Sequence, residues 1–464
     1  MKRQNKKGFT IVELVIVIAV IAILAAVLIP TFSSVIKKAK ISADTQVVRN
    51  LNTSLATDEV INGTPEDFNE VMRVLQADGY VLANLNPTTN GWFYVWESET
   101  NQMLLVDENF EIKYSVKDCK AVGDTWYVAV NKANLASVVE SKGANVAFIV
   151  DKSNFANIVE QFVTSGEAET LTVVEDMTLA GEKTLIGKDN ANANLSMDLA
   201  GNTVTTAGEK VSVSISTSDI YTPDNKDVKK PLSQLTAQNG VLTISNGTVL
   251  NNTDSPFAIS ACNSAIVNIK DVVINNKPNR TGGVALRVLG KGAVMNVEDT
   301  IINASNEKSS GGEIGSGVAN LKNVTINVSG GKNSSLATGC IFASRNGTVN
   351  IESGTYTSNG DVVVGFYTSQ GTINISGGTF TGAADTVMFG ISTYASTSVW
   401  KGDGSAPAHK IVVTGGTFNG TAFANITTAD AWAVLCGFAD EAAANAAGVA
   451  ITLNSGTVTI IRQN

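Results

Sequence analysis

Residues 1–29 combine a cationic leader with an unbroken apolar segment. From Phe9 to Ile29 the only charged side chain is that of Glu13, and a run of 21 such residues is long enough to cross a bilayer as a helix. The leader, Met1 to Gly8, carries four cations and no acid. Because cationic flanks stay on the cytoplasmic side, the pattern predicts a single membrane-spanning helix with a cytoplasmic N-terminus.

The small residue expected at an export cleavage site stands before the apolar segment rather than after it. Cleavage after Gly8 would remove the cations and keep the helix. This arrangement resembles the prepilin leader of type IV pilins and pseudopilins. In that family Gly8, Phe9, Glu13 and Pro30 correspond to the cleavage glycine, the first mature residue, the fifth-position glutamate and the helix-kinking proline. The resemblance implies cleavage by a prepilin peptidase and N-methylation of Phe9.

Glu13 is the one charge inside the apolar segment. A carboxylate on a membrane helix costs about 2.5 to 3.5 kcal/mol on insertion scales, so we expect it to have a role. The resemblance implies that Glu13 of an incoming subunit neutralises the new amino group of Phe9 in its neighbour and sets the axial stagger of a filament. The alternative is a plain membrane anchor with an incidental glutamate.

After Pro30, apolar residues recur every three to four positions and predict that an amphipathic helix continues the apolar one, so that residues 9–62 form one pilin-like helix. Gly63 is expected to end it. The apolar stripe consists of Phe32, Ile36, Ala39, Ala43, Val47, Leu51 and Leu55.

Residues 63–118 predict a small α+β head that resembles the head of a pilin. Thr64 as N-cap and Pro65 at the first helical position begin a short helix that stops at Asp78 and Gly79. Alternating polar and apolar positions predict antiparallel strands at 92–96, 102–106 and 110–114. The aromatic residues of the first strand, Trp92, Phe93, Tyr94 and Trp96, are interpreted as core packing rather than a ligand site.

Residues 119–170 are interpreted as a connecting and capping subdomain. Short helices are expected at 134–140 and 153–162, with strands at 126–130 and 146–150.

From residue 171 to 464 the chain repeats one unit: an apolar, a variable and an apolar residue, then turn residues, then threonine and an apolar residue. The copies are Val174 to Leu179, Leu199 to Val204, Ile244 to Val249, Ile269 to Ile274, Val297 to Ile302, Leu321 to Ile326, Ile351 to Tyr356, Ile375 to Phe380, Val413 to Phe418 and Leu453 to Val458. A basic period near 25 residues predicts a right-handed parallel β-helix. The region resembles pectate-lyase-like surface proteins, and the chain as a whole is expected to be mainly β.

Two columns support stacking of the repeats. The fifth position of the unit is mostly threonine, as expected for β-branched residues that face solvent. The second position reads Lys270, Glu298, Lys322 and Glu352 in successive copies, which would place opposite charges about 4.8 Å apart. Second apolar strands are predicted at 257–260, 284–288, 340–343, 362–367, 387–392 and 433–438.

The net charge of -9 becomes -13 once the four leader cations are removed, which argues against a nucleic-acid partner. The single histidine and four scattered cysteines, none in a Cys-x-x-Cys pair, give no metal or cofactor site. Buried thiols are the expected state of the cysteines. The sequence therefore predicts neither a cofactor nor a metal.

Many β-helices act on polysaccharides, so a membrane-tethered lyase or glycosidase is the alternative function. Asp271 and Asp299 occupy the same turn position in adjacent copies and could form a carboxylate pair. Asparagine, serine or glycine fills that position elsewhere, which favours a turn slot. The catalytic signatures of polygalacturonase-like hydrolases are missing, and His409 is interpreted as an exposed residue without a role. No catalytic residue is therefore assigned.

Three long insertions are the better places for ligand recognition, because loops on a rigid scaffold carry binding residues. Their aromatic residues are Tyr221 in 216–238, Tyr394 and Trp400 in 392–410, and Trp432 in 424–447. These side chains are candidates for stacking on sugar rings. The third insertion has a second interpretation, a helix that closes the last coil.

The favoured function is a non-enzymatic cell-surface subunit that displays its β-helix for adhesion or glycan binding, as a minor or tip pilin. The expected partners are the prepilin peptidase, other pilin subunits, the membrane and surface glycans. The C-terminal residues carry no hydrophobic sorting tail, so the N-terminal helix is expected to be the sole attachment. The expected locations are the cytoplasmic membrane and the pilus.

Overall fold

A computed structural model describes residues 10–65, 68–80, 85–119, 127–128, 148–150, 168–179, 194–206, 236–237, 239–252, 257–278, 283–306, 309–331, 338–366, 370–390 and 409–462. Internal contacts divide the chain into two units, Met1–Asn145 and Val146–Asn464. The predicted helices at 134–140 and 153–162 lie outside the described residues.

The N-terminal unit is built on one helix of 52 residues, α1 (Ile11–Asn62), which runs through Pro30 and ends at Gly63. The predicted stripe is confirmed only in the last part of the helix, where Leu51 and Leu55 are buried. Phe32 and Ile36 are exposed. Packing thus begins about two turns beyond Ile36, where the loop before the first strand reaches the helix and Asp44 accepts hydrogen bonds from it.

The head consists of α2 (Phe68–Ala77) and an antiparallel sheet, as predicted. The strands are β1 (Phe93–Glu97), β2 (Gln102–Val106), β3 (Ile112–Tyr114) and β4 (Tyr127–Val128), in the order β3-β2-β1-β4. Every residue of β1 and β2 is buried, including Tyr94 and Trp96. The interpretation of the first-strand aromatics as core is confirmed for Phe93, Tyr94 and Trp96.

Two polar residues of α1 attach the helix to the head. The carboxylate of Asp44 accepts hydrogen bonds from the backbone N–H of Thr88 at 2.6 Å and of Thr89 at 3.0 Å. The amide of Asn52 accepts from the Met103 N–H at 2.8 Å and donates to the Met103 carbonyl at 2.8 Å. Because both residues are buried, these bonds fix which side of the helix meets the head.

The C-terminal unit is a parallel β-solenoid of about six turns, which confirms the predicted fold class. Its parallel ladder begins at β5, earlier along the chain than the predicted start at residue 171. The strands are β5 (Phe148–Val150), β6 (Ala168–Val173), β7 (Met177–Leu179), β8 (Asn194–Asp198), β9 (Thr203–Thr206), β10 (Thr236–Ala237), β11 (Val241–Asn251), β12 (Phe257–Cys262), β13 (Ile266–Asn276), β14 (Gly283–Leu289), β15 (Val294–Glu298), β16 (Ile301–Ala304), β17 (Ser309–Gly315), β18 (Val318–Lys322), β19 (Val324–Val328), β20 (Ile341–Ser344), β21 (Gly347–Ile351), β22 (Gly354–Ser358), β23 (Val362–Phe366), β24 (Gly371–Ile375), β25 (Thr379–Gly382), β26 (Val387–Gly390), β27 (His409–Val413), β28 (Thr417–Phe418), β29 (Thr421–Ala422), β30 (Val449–Asn454) and β31 (Thr457–Arg462).

The predicted second strands form a separate sheet in the order β10-β12-β14-β17-β20-β23-β26. Two members, β10 and β17, were not predicted. The sequence of β17, Ser-Ser-Gly-Gly-Glu-Ile-Gly, has almost no apolar residues. The tight stack accounts for the glycines: a Cβ on Gly311 would lie 2.3 Å from the Cys340 carbonyl oxygen of the next coil. The strand is therefore set by close approach of its neighbours rather than by hydrophobic pattern.

The predicted charge column is confirmed. Lys270 is aligned with Glu298, and Glu298 with Lys322, in successive parallel strands. The Lys322 Nζ lies 2.7 Å from the Glu298 Oε1. Hydrogen bonding to Glu298 raises the pKa of Lys322 above its ordinary value, and Glu352 of the following coil contributes.

The threonine column is confirmed in part. Aligned positions Thr325, Thr355, Thr379 and Thr417 follow one another in the ladder, and none of them is buried. The prediction is wrong at the start of the solenoid, where Thr178 is aligned with Thr205 rather than Thr203. The repeat pattern alone therefore misplaces that coil by two residues.

The last predicted copy, Leu453 to Val458, is not a parallel coil. Strands β30 and β31 form an antiparallel hairpin, and β31 pairs antiparallel with β27. The strand predicted at 433–438 is also wrong, since α3 (Ala429–Leu435) covers its first half, no strand follows before β30, and α4 (Glu441–Ala446) lies between them. The interpretation of the third insertion as helix is confirmed, with two short helices in place of one.

Candidate functional site

The N-terminal part of α1 is the strongest candidate for a functional segment. It is the one helix among the described residues with the length and composition to cross a membrane, with a mean hydropathy of 3.3 in its most apolar window. Nothing in the structure covers that window, since none of it is buried. The predicted processing residues Gly8 and Phe9 lie outside the described residues.

Glu13 forms a reciprocal cap with Thr10 at the start of α1. The Thr10 backbone N–H and hydroxyl donate to Glu13 Oε2 at 2.9 Å and 2.8 Å, and the Glu13 N–H donates to the Thr10 hydroxyl at 3.3 Å. A carboxylate in this position satisfies donors that the first helical turn leaves open. Among the residues that the structure describes, the hydrogen-bond partners of the Glu13 carboxylate are the neutral donors of Thr10.

Thr10 was not singled out from the sequence, although the signal was present. Thr10-Ile11-Val12-Glu13 has the spacing of a capping box immediately before an apolar run. The apolar run indicates membrane insertion, and the capping box at its start indicates in addition where the helix begins.

Pro30 lies inside α1 and leaves the helix continuous. A proline has no N–H to donate to the carbonyl four residues earlier. One residue on, the Thr31 hydroxyl donates to the Val27 carbonyl at 2.9 Å. The carbonyl that Pro30 leaves without its N–H donor is that of Ala26, so the Thr31 hydroxyl adds a donor to the neighbouring Val27 carbonyl and does not replace the missing bond.

In the solenoid, Asp271 and Asp299 occupy the predicted turn slot. Both are exposed and have positive φ, 54° and 49°, as do Asn246 and Asn323 at the same position of other coils. Asparagine and aspartate tolerate this left-handed conformation better than other non-glycine residues. The Asn323 amide also donates to Asp299 Oδ1 at 2.6 Å, so the turn geometry accounts for both acids.

His409 is not exposed, contrary to the prediction. It is the first residue of β27, 5% exposed, and its ring lies 4.8 Å from the Phe366 ring in an edge contact. The Gly/Ser/Ala/Pro-rich sequence before it suggested a loop, but the strand begins at the histidine itself. Its position indicates a packing role.

Trp432, predicted as a ligand-loop aromatic, is fully buried, and that prediction is wrong. Its ring lies 5.6 Å from Phe418 and 6.2 Å from Phe389, and its indole N–H donates to the Ile426 carbonyl at 3.0 Å. The side chain closes the interior of the last coil and is unavailable to a sugar. The other candidates, Tyr221, Tyr394 and Trp400, lie outside the described residues.

None of the four cysteines forms a disulfide, and the prediction of buried thiols is confirmed for Cys262, Cys340 and Cys436. Burial raises the pKa of Cys262 and of Cys436 to about 12, and it raises that of Cys340 as well. Cys119 is half-buried. The described residues contain no group of three or more His, Cys, Asp or Glu side chains that could hold a metal ion.

Comparisons with known proteins place the likeness at the N-terminus. Residues 3–29 match the prokaryotic N-terminal methylation motif. The chain is 51% identical over 57 residues to the type IV wide pilus major component PilA4 of Thermus thermophilus, covering 12% of this chain and 41% of that protein. It is 44% identical over 52 residues to a fimbrial protein of Moraxella nonliquefaciens, covering 11% of this chain and 34% of that protein.

The chain therefore spans less than half the length of these curated relatives. No solved structure matches the chain. The N-terminal segment is similar to those of type IV pilins, and the solenoid lies outside the residues that match the methylation motif.

Proposed function

We propose that this chain is a non-enzymatic, pilin-like subunit of a cell-surface filament that displays its solenoid for adhesion or glycan binding. The observation that supports it is a pilin-type methylation segment at the start of a single helix that continues into a small α+β head. A segment used only for export would not need to continue as one helix into a folded head.

The exposed apolar half of α1 needs an environment other than water. Side chains from Ile11 to Ile29 are largely exposed, and Phe32, Val35 and Ile36 extend the apolar surface past Pro30. A bilayer covers such a helix before assembly, and neighbouring helices of a filament cover it afterwards. In the proposed order of events, prepilin peptidase first cuts the chain between Gly8 and Phe9 while the helix is in the cytoplasmic membrane.

Glu13 supplies the specificity of assembly in this proposal. Its partners within the subunit are the neutral donors of Thr10. A cation delivered by the new amino group of a neighbouring Phe9 would offset the desolvation of the carboxylate more strongly than a neutral donor does. The filament would therefore satisfy a charge that the single subunit only caps.

The size of the solenoid favours a minor or tip position. The C-terminal unit, Val146–Asn464, is more than twice as long as the N-terminal unit. Filament subunits packed by closely spaced helices leave little lateral room for a domain of this size. The partners in the proposal are the prepilin peptidase, other pilin subunits, the membrane and an extracellular glycan surface.

Mass spectrometry of the N-terminus, on protein from sheared filaments and from membranes, tests the proposal. Wild-type protein is expected to begin at N-methylated Phe9 in the sheared fraction. Gly8→Ala should remain uncut in membranes. Glu13→Ala should be cut but absent from sheared filaments, because the intersubunit ion pair is lost.

Glu352→Ala is the matched control. Glu352 is an exposed carboxylate of the solenoid, outside the N-terminal unit, so its loss should leave filament content unchanged. Glu13→Ala protein at the wild-type amount in sheared filaments would contradict the assembly role. Protein confined to membranes in every variant, wild type included, would contradict the filament proposal as a whole.

A further inference from the structure

An open groove of about 770 Å³ runs between the last turns of α1 and the end of the head sheet. Its apolar walls come from Ala56, Val60 and Ile61 of the helix and from Val116 just beyond β3. Arg49 and Tyr114 also line the groove, together with the neutral polar side chains of Asn52, Thr53 and Thr57. All of these residues belong to the N-terminal unit.

The apolar residues of this groove are unusually exposed. Val60 is 87% exposed, Ile61 75% and Val116 51%. Val60 and Ile61 lie well beyond the apolar N-terminal half of α1, among polar side chains of the helix end. Large apolar side chains gathered in a concave surface of a folded head are typical of a site that a partner covers.

Arg49 gives the groove a charge. Its Nε donates to the Tyr114 hydroxyl at 2.7 Å, and its guanidinium carbon lies 5.3 Å from the centre of the Tyr114 ring. These contacts hold the side chain in place, and no carboxylate pairs with it among the described residues. Because a guanidinium has five N–H donors, a fixed Arg49 retains donors for a carboxylate.

The adjoining strand adds backbone groups to the same surface. β3 is an edge of the head sheet and pairs only with β2 in the part of the chain that the structure describes. An edge strand presents backbone donors and acceptors that another chain can use.

We propose that this groove, defined by Arg49, Ala56, Val60, Ile61, Tyr114 and Val116, receives the head of a neighbouring pilin-like subunit. The facing surface would offer an apolar side chain to Val60 and Ile61 and a carboxylate to Arg49. The chain's own head can supply the carboxylate, since residues 31–118 carry 13 acidic and 7 basic residues. This inference rests on the proposed filament role and adds to it a head-to-head contact separate from the membrane helices.

The test compares Ile61→Asp and Arg49→Glu with Val434→Asp. Ile61 and Val434 are both exposed valine or isoleucine positions in the last turn of a helix, but Val434 lies on α3 of the solenoid, outside the groove. The readout is the amount of each variant in sheared filaments relative to membranes. Circular dichroism of the purified proteins checks that each variant folds.

Ile61→Asp and Arg49→Glu are expected to lower the filament fraction roughly tenfold, the effect of losing one interface anchor. Arg49→Lys should retain part of the wild-type amount, because it keeps the charge but not the planar donors. Val434→Asp should match the wild type.

If both groove variants reach the wild-type amount in sheared filaments while Glu13→Ala is absent from them, the proposed contact at the groove is contradicted. The proposed filament role would remain intact. An equal loss for Val434→Asp would also contradict the groove contact, since the effect would then not belong to the groove. Wild-type filament content for Glu13→Ala would instead count against the proposed function itself.

Discussion

Burial decides the chemistry of three of the four thiols. Cys262, Cys340 and Cys436 each lie inside the solenoid, and desolvation of the thiolate raises the pKa of all three. Since the thiolate is the reactive form, these side chains behave as small apolar core residues. The sulfur of Cys340 donates to the Thr357 carbonyl at 3.3 Å, which fits a protonated thiol.

The first prediction concerns alkylation of the cysteines. At pH 8.5 a thiol with a pKa near 12 is almost entirely protonated, whereas an ordinary one is about half ionised. In native protein, Cys262, Cys340 and Cys436 should therefore resist a maleimide reagent, and half-buried Cys119 should react first. Peptide mass spectrometry gives the order. Equal labelling of all four before denaturant is added would contradict the buried state of the solenoid thiols.

At the scale of elements, the solenoid is fastened by columns of asparagine as well as by its backbone ladder. Asn268, Asn296, Asn320, Asn350 and Asn374 are aligned in successive strands. Each amide from Asn296 onward donates to the oxygen of the preceding one, at 2.8 to 2.9 Å. Polar residues of one coil thereby specify the register of the next.

The position along this column predicts the effect of its removal. Asn320→Ala loses two amide bonds, one donated to Asn296 and one accepted from Asn350. Asn374→Ala loses only the bond donated to Asn350. At about 1 kcal/mol per bond, the free energy of unfolding should fall by about 2 kcal/mol in the first variant and about 1 kcal/mol in the second.

Urea unfolding of the two variants checks the ratio. Both positions are half-buried asparagines on equivalent strands, so differences in burial and strand propensity largely cancel. Equal losses would show that the column acts through strand propensity rather than through its amide bonds.

The sequence predicted correctly those elements whose structure depends on a single local pattern. The membrane-length helix, the head strands and the stacked coils from Ile244 to Phe418 follow from hydrophobic periodicity and repeated turn residues. Strand β17 could not be found this way, because glycine is required by a close approach between coils. Its origin is visible only once its neighbours are in place.

The candidate functional residues also fall into two groups, those with a local signal in the sequence and those whose role depends on tertiary contacts. Glu13 and Pro30 stand out because they interrupt an apolar run. The solenoid aromatics have no such local signal, since an aromatic residue in an insertion can bind a ligand or fill a core. Trp432 fills the core, and only its contacts with Phe389 and Phe418 decide this. The groove around Arg49 likewise depends on residues 65 positions apart in sequence.

At the scale of the whole molecule, the solenoid needs a defined end. Parallel stacking stops at β27 and β28, and an unprotected last coil would expose sheet edge and core. The antiparallel strand β31 covers the edge of β27, while β29 pairs antiparallel with β28. Helix α3 brings Trp432 onto the aromatic stack that runs from Tyr356 through Phe380 to Phe418. The edge strands at this end therefore have hydrogen-bonded partners, and Trp432 fills the core of the last coil.

Trp432→Ala should open this end. The substitution removes a fully buried indole and leaves the Ile426 carbonyl without its donor, so we expect a loss of about 3 to 5 kcal/mol in the free energy of unfolding. Val434→Ala, two residues away on the same helix and 58% exposed, should change it by less than about 0.5 kcal/mol. Limited proteolysis with mass spectrometry should show new cleavage in α3, β30 and β31, because the loss is local to that end. Unchanged unfolding in Trp432→Ala would mean that the hairpin β30–β31 closes the solenoid without the helix.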